Sequence, residues 1–280
     1  MGGLLIVDGS NLLFQMFYGM PARIIGKNGK PIQGTLGFIG ALGKILKMVK
    51  PTHIAVLFDG ECHNERKDLD PNYKANRPDY SEMPEEDTPF CQMPDIFRAL
   101  ALLKIPYGET SCCEADDWIA GYCKKYGDAM QVTVVSQDSD FFQLISDRVR
   151  ILRYRGQNSV LCDRKYIQEK FGIEPEQYGD LKSLVGDTAD NIRGADKIGP
   201  KTAAELLRQF GSLEGILSHI GDVKKPSVQA SLIKNAERLR RNQSLIVLSG
   251  SDDLPFSLED MAYRPDSRST TQILQAIDLR

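Results

Sequence analysis

Short apolar runs alternate with stretches of helical spacing through the first half of the chain. Gly3–Val7, Ile54–Phe58 and Val132–Val135 are continuous runs of strand length, and Val149–Tyr154 reads as a fourth. Between them, Gly34–Val49 carries Ile39, Leu42, Leu46 and Val49 at helical spacing. Ala115–Tyr126 gathers Ala115, Trp118, Ile119, Tyr122, Cys123 and Tyr126 on one side. Strands alternating with helices predict an α/β fold, a mainly parallel sheet with helices on both faces. After about residue 175 the pattern turns helical: Asp180–Val185, then Pro200–Phe210 with Ala203, Leu206, Leu207 and Phe210 on one face. Pro226–Asn242 follows, with Val228, Leu232, Ala236 and Leu239. No Gly/Ser linker intervenes, so these helices are expected to pack as a subdomain. Residues 60–95 break the pattern with Pro71, Pro78, Pro84, Pro89 and Pro94, dense charge and little periodicity. So long an irregular stretch is usually functional or mobile.

A parallel sheet places its ligand site outside the carboxyl ends of its strands. Asp8, Asp59, Asp138 and Asp140 fall there. One carboxylate after a strand is often only the N-cap of the next helix; three strands ending alike suggest a shared site. Glu114, Asp116 and Asp117 open the Ala115 helix. Its N-terminus stabilises acids by about 0.3–1 kcal/mol each, which alone would account for such a run in isolation. Asp187 and Asp190 flank a tight bend, making nine candidate acids. Clustered carboxylates repel one another and shift toward protonation. Magnesium or manganese, hard ions with oxygen ligands, removes that cost. Two such ions roughly 3.5–4 Å apart hold the attacking and leaving oxygens of an in-line phosphoryl displacement. Histidine chemistry is not needed: His53 lies at a strand start and His219 closes a helix. An aspartyl-phosphate mechanism wants a second Asp two residues after the nucleophile, and Asp8 is followed by Gly9 and Ser10.

Composition changes this picture in two places. With 280 residues, 41% apolar and 26% charged, the chain is neither disordered, collagenous nor a small disulfide scaffold. The net charge of −3 argues, taken alone, against a nucleic-acid binder. Setting the nine acids aside turns that −3 into +6 for the remainder, basic enough for a polyanion. Lys234, Arg238 and Arg241 form a stripe roughly opposite Leu232, Ala236 and Leu239, though a solvated helix face reads the same way. The run from Gly194 to Thr202 nearly matches a P-loop, but Pro200 intrudes and no strand precedes it. It reads better as a glycine hairpin in which Gly199 leads into a helix with Pro200 at its first position. The free amides there suit a backbone phosphate, with Lys201 and Thr202 beside it. Such contacts position nucleic acid without reading sequence. The six cysteines show no C-x-x-C pair, so a zinc site from Cys62, His63, Cys112 and Cys113 is a weak alternative to reduced, packed thiols. No apolar run approaches the roughly 20 residues of a membrane span, and Leu4–Val7 is too short for a signal-peptide core. A cytoplasmic protein is expected.

The motifs Val7-Asp8-Gly9, Phe58-Asp59, Arg66 with Tyr73-Lys74-x-x-Arg77, Glu114-x-Asp116-Asp117, Asp138-x-Asp140 and Gly186-Asp187-x-x-Asp190-Asn191 stand in one order. With the Gly194–Thr202 hairpin they cover nearly the whole chain. In this the chain resembles the 5′ nucleases: flap endonucleases and the 5′–3′ exonuclease domain of bacterial DNA polymerase I. The family's proline after Asp-Asn-Ile/Leu is Arg193 here. The resemblance implies a PIN-like nuclease domain over residues 1–175. It also implies a helix-three-turn-helix (helix-hairpin-helix type) subdomain over 176–250 and a C-terminal extension, 251–280, packing on the nuclease core. The second unit would grip duplex DNA and hold K⁺ through backbone carbonyls. Segment 60–95 would be an arch or clamp admitting single-stranded 5′ ends, with Arg66, Lys74 and Arg77 facing the scissile phosphate. Tyr73 and Tyr18 would lie near the DNA path, stacking on bases or simply packing.

The implied activity is a structure-selective 5′ nuclease, exonuclease and flap endonuclease, acting as a monomer on branched, nicked or 5′-flap DNA with Mg²⁺ or Mn²⁺. Asp8, Asp59, Glu114, Asp116, Asp138 and Asp140 would make the tighter metal shell. Asp117, Asp187 and Asp190 would hold the second ion, directly or through water. The rival readings are a non-catalytic DNA-binding module and a PIN-like ribonuclease.

Overall fold

The computed structural model describes residues 2–27, 29–60, 65–111 and 113–280. Cys62, His63 and Cys112 of the zinc alternative, and the start of the 60–95 segment, lie outside them.

The apolar runs form the centre of one six-stranded sheet. Its strands are β1 (Gly3–Asp8), β2 (His53–Phe58), β3 (Tyr107–Glu109), β4 (Gln131–Val135), β5 (Val149–Arg153) and β6 (Val160–Cys162), in the order β3-β2-β1-β4-β5-β6. All pairings are parallel except β5 with β6. β3 and β6, three residues each, occupy the edges, and neither announces itself by an apolar run.

Helices α1 (Gly9–Gly19), α2 (Gln33–Val49), α3 (Glu65–Leu69), α4 (Met93–Leu102), α5 (Ala115–Tyr126) and α6 (Arg164–Phe171) alternate with the strands. Alternate residues of β1 feed two cores: Leu4 and Ile6 one face, Leu5 and Val7 the other. The face with Phe38, Leu42, Ile96 and Leu100 also receives Ile273, Leu274, Ile277 and Leu279 of the C-terminal segment. The other face continues into the later helices through Leu206, Leu207, Ile216, Leu232 and Leu239.

Those later helices are α7 (Tyr178–Val185), α8 (Pro200–Phe210), α9 (Leu213–Ser218), α10 (Pro226–Ile246) and α11 (Thr270–Ala276). α8 starts at Pro200 with Gly199 as its cap, as the sequence suggests. Between α7 and α8 a small hairpin pairs β7 (Gly186–Asp187) with β8 (Ile192–Arg193). Gly186 has φ +89°, and a Cβ on Gly194 would sit 2.1 Å from the Val185 carbonyl. Glycine at both positions lets the hairpin turn tightly enough to aim Asp187 and Asp190 back at the sheet. Arg193 pairs with Gly186 in this ladder.

The irregular segment is partly ordered by short structure. It holds α3, 3₁₀ turns at Tyr80–Glu82, Glu85–Asp87 and Pro89–Gln92, and the start of α4. These elements are too short for periodicity to reveal, and prolines punctuate them.

Candidate metal centre

Because β2, β1 and β4 are neighbours, their carboxyl ends bring Asp8, Asp59 and Asp138 to one rim. Asp116, from the first turn of α5, and Glu114 complete the floor of a cleft of about 860 Å³. Small polar groups brace the acids. Asp8 accepts from the Asn11 amide at 2.9 Å and from the Ser136 hydroxyl at 2.8 Å. Asp59 accepts from the Ala115 amide at 2.9 Å, while its own amide donates to Ser10 Oγ. Ser10, Asn11 and Ser136 were not singled out by the sequence, although all lie within three residues of a candidate acid.

Asp8, Asp59, Asp116 and Asp138 have no ion pair among the described residues. Burial, then Asp59, pushes the Asp8 carboxyl up to about 7. Burial, Asp138 and Asp8 hold Asp116 well above the carboxylate range. This is the electrostatic signature of carboxylates that lack a cation. The donors are all oxygen and line the cleft, as suits Mg²⁺ or Mn²⁺, and such ions keep part of their water shell and so span a wide ligand set.

A second group is more compact. Carboxylate oxygens of Asp140, Asp187 and Asp190 lie within 4.8 Å of one another. Asp140 thus lies closest to Asp187 and Asp190, whereas the sequence groups it with Asp138. The amide of Asp140 donates to Asp138 Oδ1 at 2.8 Å, so the two groups share a seam. Between Asp140 and Asp187 sits the ammonium of Lys182, which contacts both and is 9% exposed. Burial and Asp138 push Asp140 up to about 7 against the pull of that ammonium. Asp187, buried less, is held below its usual range by the same ammonium. Lys182 escaped the sequence reading; its only signal is a basic residue on α7 five residues before Asp187.

The expected phosphate-facing cations divide. Arg66 contacts Glu114 at 2.5 Å and Asp117 at 2.8 Å, with 13% of its side chain exposed. It is absent from the cleft lining, and its fork fixes the start of α5. Asp117, bound in that pair, is not part of the compact trio. Lys74 and Arg77 do line the cleft. Lys74 contacts Glu114 at 2.7 Å, and Arg77, half exposed, contacts Asp190 at 2.8 Å. Burial would discharge Lys74, but Glu114 outweighs it and keeps the ammonium charged. The segment carrying both is latched to the hairpin: the Lys74 amide donates to Asp190 O, Asn76 to Thr188 O, and Asn191 to Asn72 O.

Tyr73 is 4% exposed, packed with Ile192, Leu245 and Ile246, so no face of its ring is open to a base. That corrects the stacking alternative. Tyr18 is 56% exposed and meets Phe14 and Tyr80 at the rim. Lys201, Lys234 and Gly199 are exposed and Thr202 half-buried. Arg238 turns inward to donate to Gly194 O at 2.8 Å, and Arg241 reaches toward Asp70 at 3.5 Å. The stripe is thus not a uniform solvent face.

Residues 3–172 match the 5′–3′ exonuclease N-terminal resolvase-like domain, and 173–269 the 5′–3′ exonuclease C-terminal SAM fold. The chain belongs to the 5′–3′ exonuclease family. It is 31% identical to the 5′–3′ exonuclease of Aquifex aeolicus over 99% of this chain and 92% of that protein. It is 35% identical to DNA polymerase I of Rhizobium leguminosarum over 94% of this chain, spanning only 26% of that relative. A bacteriophage T5 flap endonuclease, solved with DNA and metal ions, superposes with a TM-score of 0.72 at 27% identity, covering 88% of this chain and 89% of that one. The catalytic core of Rad2 shares the fold, with a TM-score of 0.60 at 16% identity over 91% of this chain and 82% of that core. This exonuclease-family chain has, among its described residues, no helix long and apolar enough to cross a membrane.

Proposed function

We propose that this chain is a structure-selective 5′ nuclease that hydrolyses DNA phosphodiester bonds at 5′ ends and at the base of 5′ flaps. One observation carries the proposal: acids from three neighbouring strand ends and α5 share a single cleft with Lys74 and Arg77. Asp8, Asp59, Asp116 and Asp138, with Glu114 beside them, would hold one divalent ion; Asp140, Asp187 and Asp190 would hold the second. Bound there, Mg²⁺ or Mn²⁺ supplies Lewis acidity and a nucleophile at neutral pH. The T5 flap endonuclease complex, which contains DNA and metal ions, supports the same reading.

The chain's own groups do the rest. Asn11 and Ser136 hold the Asp8 carboxylate in place, and Ser10 holds the Asp59 backbone. Lys74 and Arg77 stand at the cleft wall, paired with acids until a phosphate offers them a better partner, and then offset charge on the phosphoryl oxygens. Lys201 and Lys234, exposed on the helical subdomain, would hold duplex backbone phosphates. The proposal includes a cytoplasmic monomer acting on branched or nicked DNA, with K⁺ on the carbonyls of the Gly194–Thr202 hairpin. Product mapping on an end-labelled 5′-flap duplex tests it. Incision near the junction that needs Mg²⁺ and stops in EDTA is expected. Cleavage in EDTA, or an RNA flap cut in preference to DNA, would overturn it.

A further inference from the structure

Most lysines keep their charge in water, because burying an ammonium is costly unless it is well paired. Lys182 is buried, and both carboxylates it touches, Asp140 and Asp187, belong to the one compact acid trio among the described residues. The third member, Asp190, is paired from outside by Arg77. Two cations therefore already serve three acids, whereas the neighbouring set of Asp8, Asp59, Asp116 and Asp138 has no cation in contact among the described residues. A metal entering the trio meets an occupied position; a metal entering the open set does not.

We propose that Lys182 is the resident cation of the Asp140–Asp187–Asp190 trio, and that a divalent ion enters there only by displacing its ammonium. The proposal rests on the two-ion reading above. The lysine is suited to the role. Its charge is a compact ammonium on a flexible four-carbon stem, so it leaves by rotation about side-chain bonds while α7 stays in place. An arginine fork would bind the carboxylates in fixed bidentate geometry and leave less readily. The exchange makes the two ion positions unequal by construction. The first fills readily, and the second fills only when the metal outcompetes a tethered cation at very high local concentration.

Two measurements, both without DNA, test this, so a chain that cuts nothing can still pass and a working nuclease can still fail. The first is calorimetric titration with Mn²⁺. Wild type is expected to show one tighter and one weaker class of site. Lys182→Met should tighten the weaker class about tenfold or more and leave the tighter class alone; Lys182→Arg should not tighten it. An unchanged or weakened second class in Lys182→Met would overturn the proposal. The second uses the wild-type chain and so does not depend on a variant that folds: amine-reactive labelling of Lys182, read by mass spectrometry across a Mg²⁺ titration. Labelling should rise severalfold with the second binding event. Labelling that is flat or falls as Mg²⁺ saturates would show that the ammonium stays between its carboxylates.

Discussion

The two carboxylate groups, one lining the cleft and one beside it, are built from the same residue type and balance their charge differently. The open set stands at the ends of three parallel strands and α5, braced by amides and hydroxyls, with no cation in contact among the described residues. The trio straddles the join between sheet and helical subdomain, and Lys182 and Arg77 enter it. Backbone topology alone creates the first group, since neighbouring parallel strands must end side by side. The second needs a tertiary contact, because β7 and β8 come from a different part of the chain. The lesson is that an acid-rich site is defined as much by which carboxylates lack a counter-ion as by how many there are.

The sharpest way to break this contrast is mutation on either side of the seam. Asp138→Asn should cost at least about 10³-fold in cleavage rate, because it removes a charge that a metal needs; Asp140→Asn, whose carboxylate Lys182 touches, should cost roughly 10–10²-fold. Asp187→Asn, behind Lys182, should likewise cost roughly 10–10²-fold. DNA affinity should hold or rise in all three, since each loses a repulsive charge. Equal losses at Asp138 and Asp187 in single-turnover assays would erase the distinction.

Next come the cations. Lys74→Ala should slow single-turnover cleavage by about 10²-fold with a small change in Kd, the mark of a group that acts on the transition state. Arg66→Ala should instead lower Tm, because Arg66 anchors Glu114 and Asp117 and does not line the cleft. A rate loss confined to Arg66 would reverse these roles.

The open set also predicts a pH effect in metal-free protein. Asp8 sits at about 7 when folded, above its ordinary carboxylate value, so the folded state binds more protons than the unfolded one between about pH 4 and 7. Stability is therefore present at low pH and lost as pH rises through 7. Asp8→Asn should raise stability at pH 7.5 by roughly 1–4 kcal/mol, and Mg²⁺ should flatten the pH dependence of wild type. A wild-type Tm that climbs from pH 5 to 7.5 without metal would contradict the burial of uncompensated acids.

The smallest effect lies on the helical subdomain. Lys201→Ala and Lys234→Ala should each lower the slope of log affinity against log salt by about 0.9. Arg238→Ala should act through the hairpin it holds at Gly194, lowering stability as well. A wild-type slope in the double lysine mutant would place duplex DNA elsewhere.

Much of this was legible from the chain. Four apolar runs gave the central strands, and the aspartates ending three of them gave the open rim, because strand length and strand end both show in sequence. The edge strands β3 and β6 were not legible, being too short for a pattern. The 60–95 segment hid α3 and three 3₁₀ turns for the same reason. Within the site, residue types were readable and partners were not. Nothing local to Asp140 says that it faces Asp187, and nothing local to Tyr73 says that Ile192 and Leu245 cover it. Lys182 is the plainest case: its position between two acids depends on how α7 docks against the turn after β4.

Anomalous diffraction from crystals grown at saturating Mn²⁺ tests the two-position assignment most directly. Two peaks are expected: one among Asp8, Asp59, Asp116 and Asp138, and one among Asp140, Asp187 and Asp190 with the Lys182 side chain turned away. A single peak in the open set, with Lys182 still between Asp140 and Asp187, would contradict it.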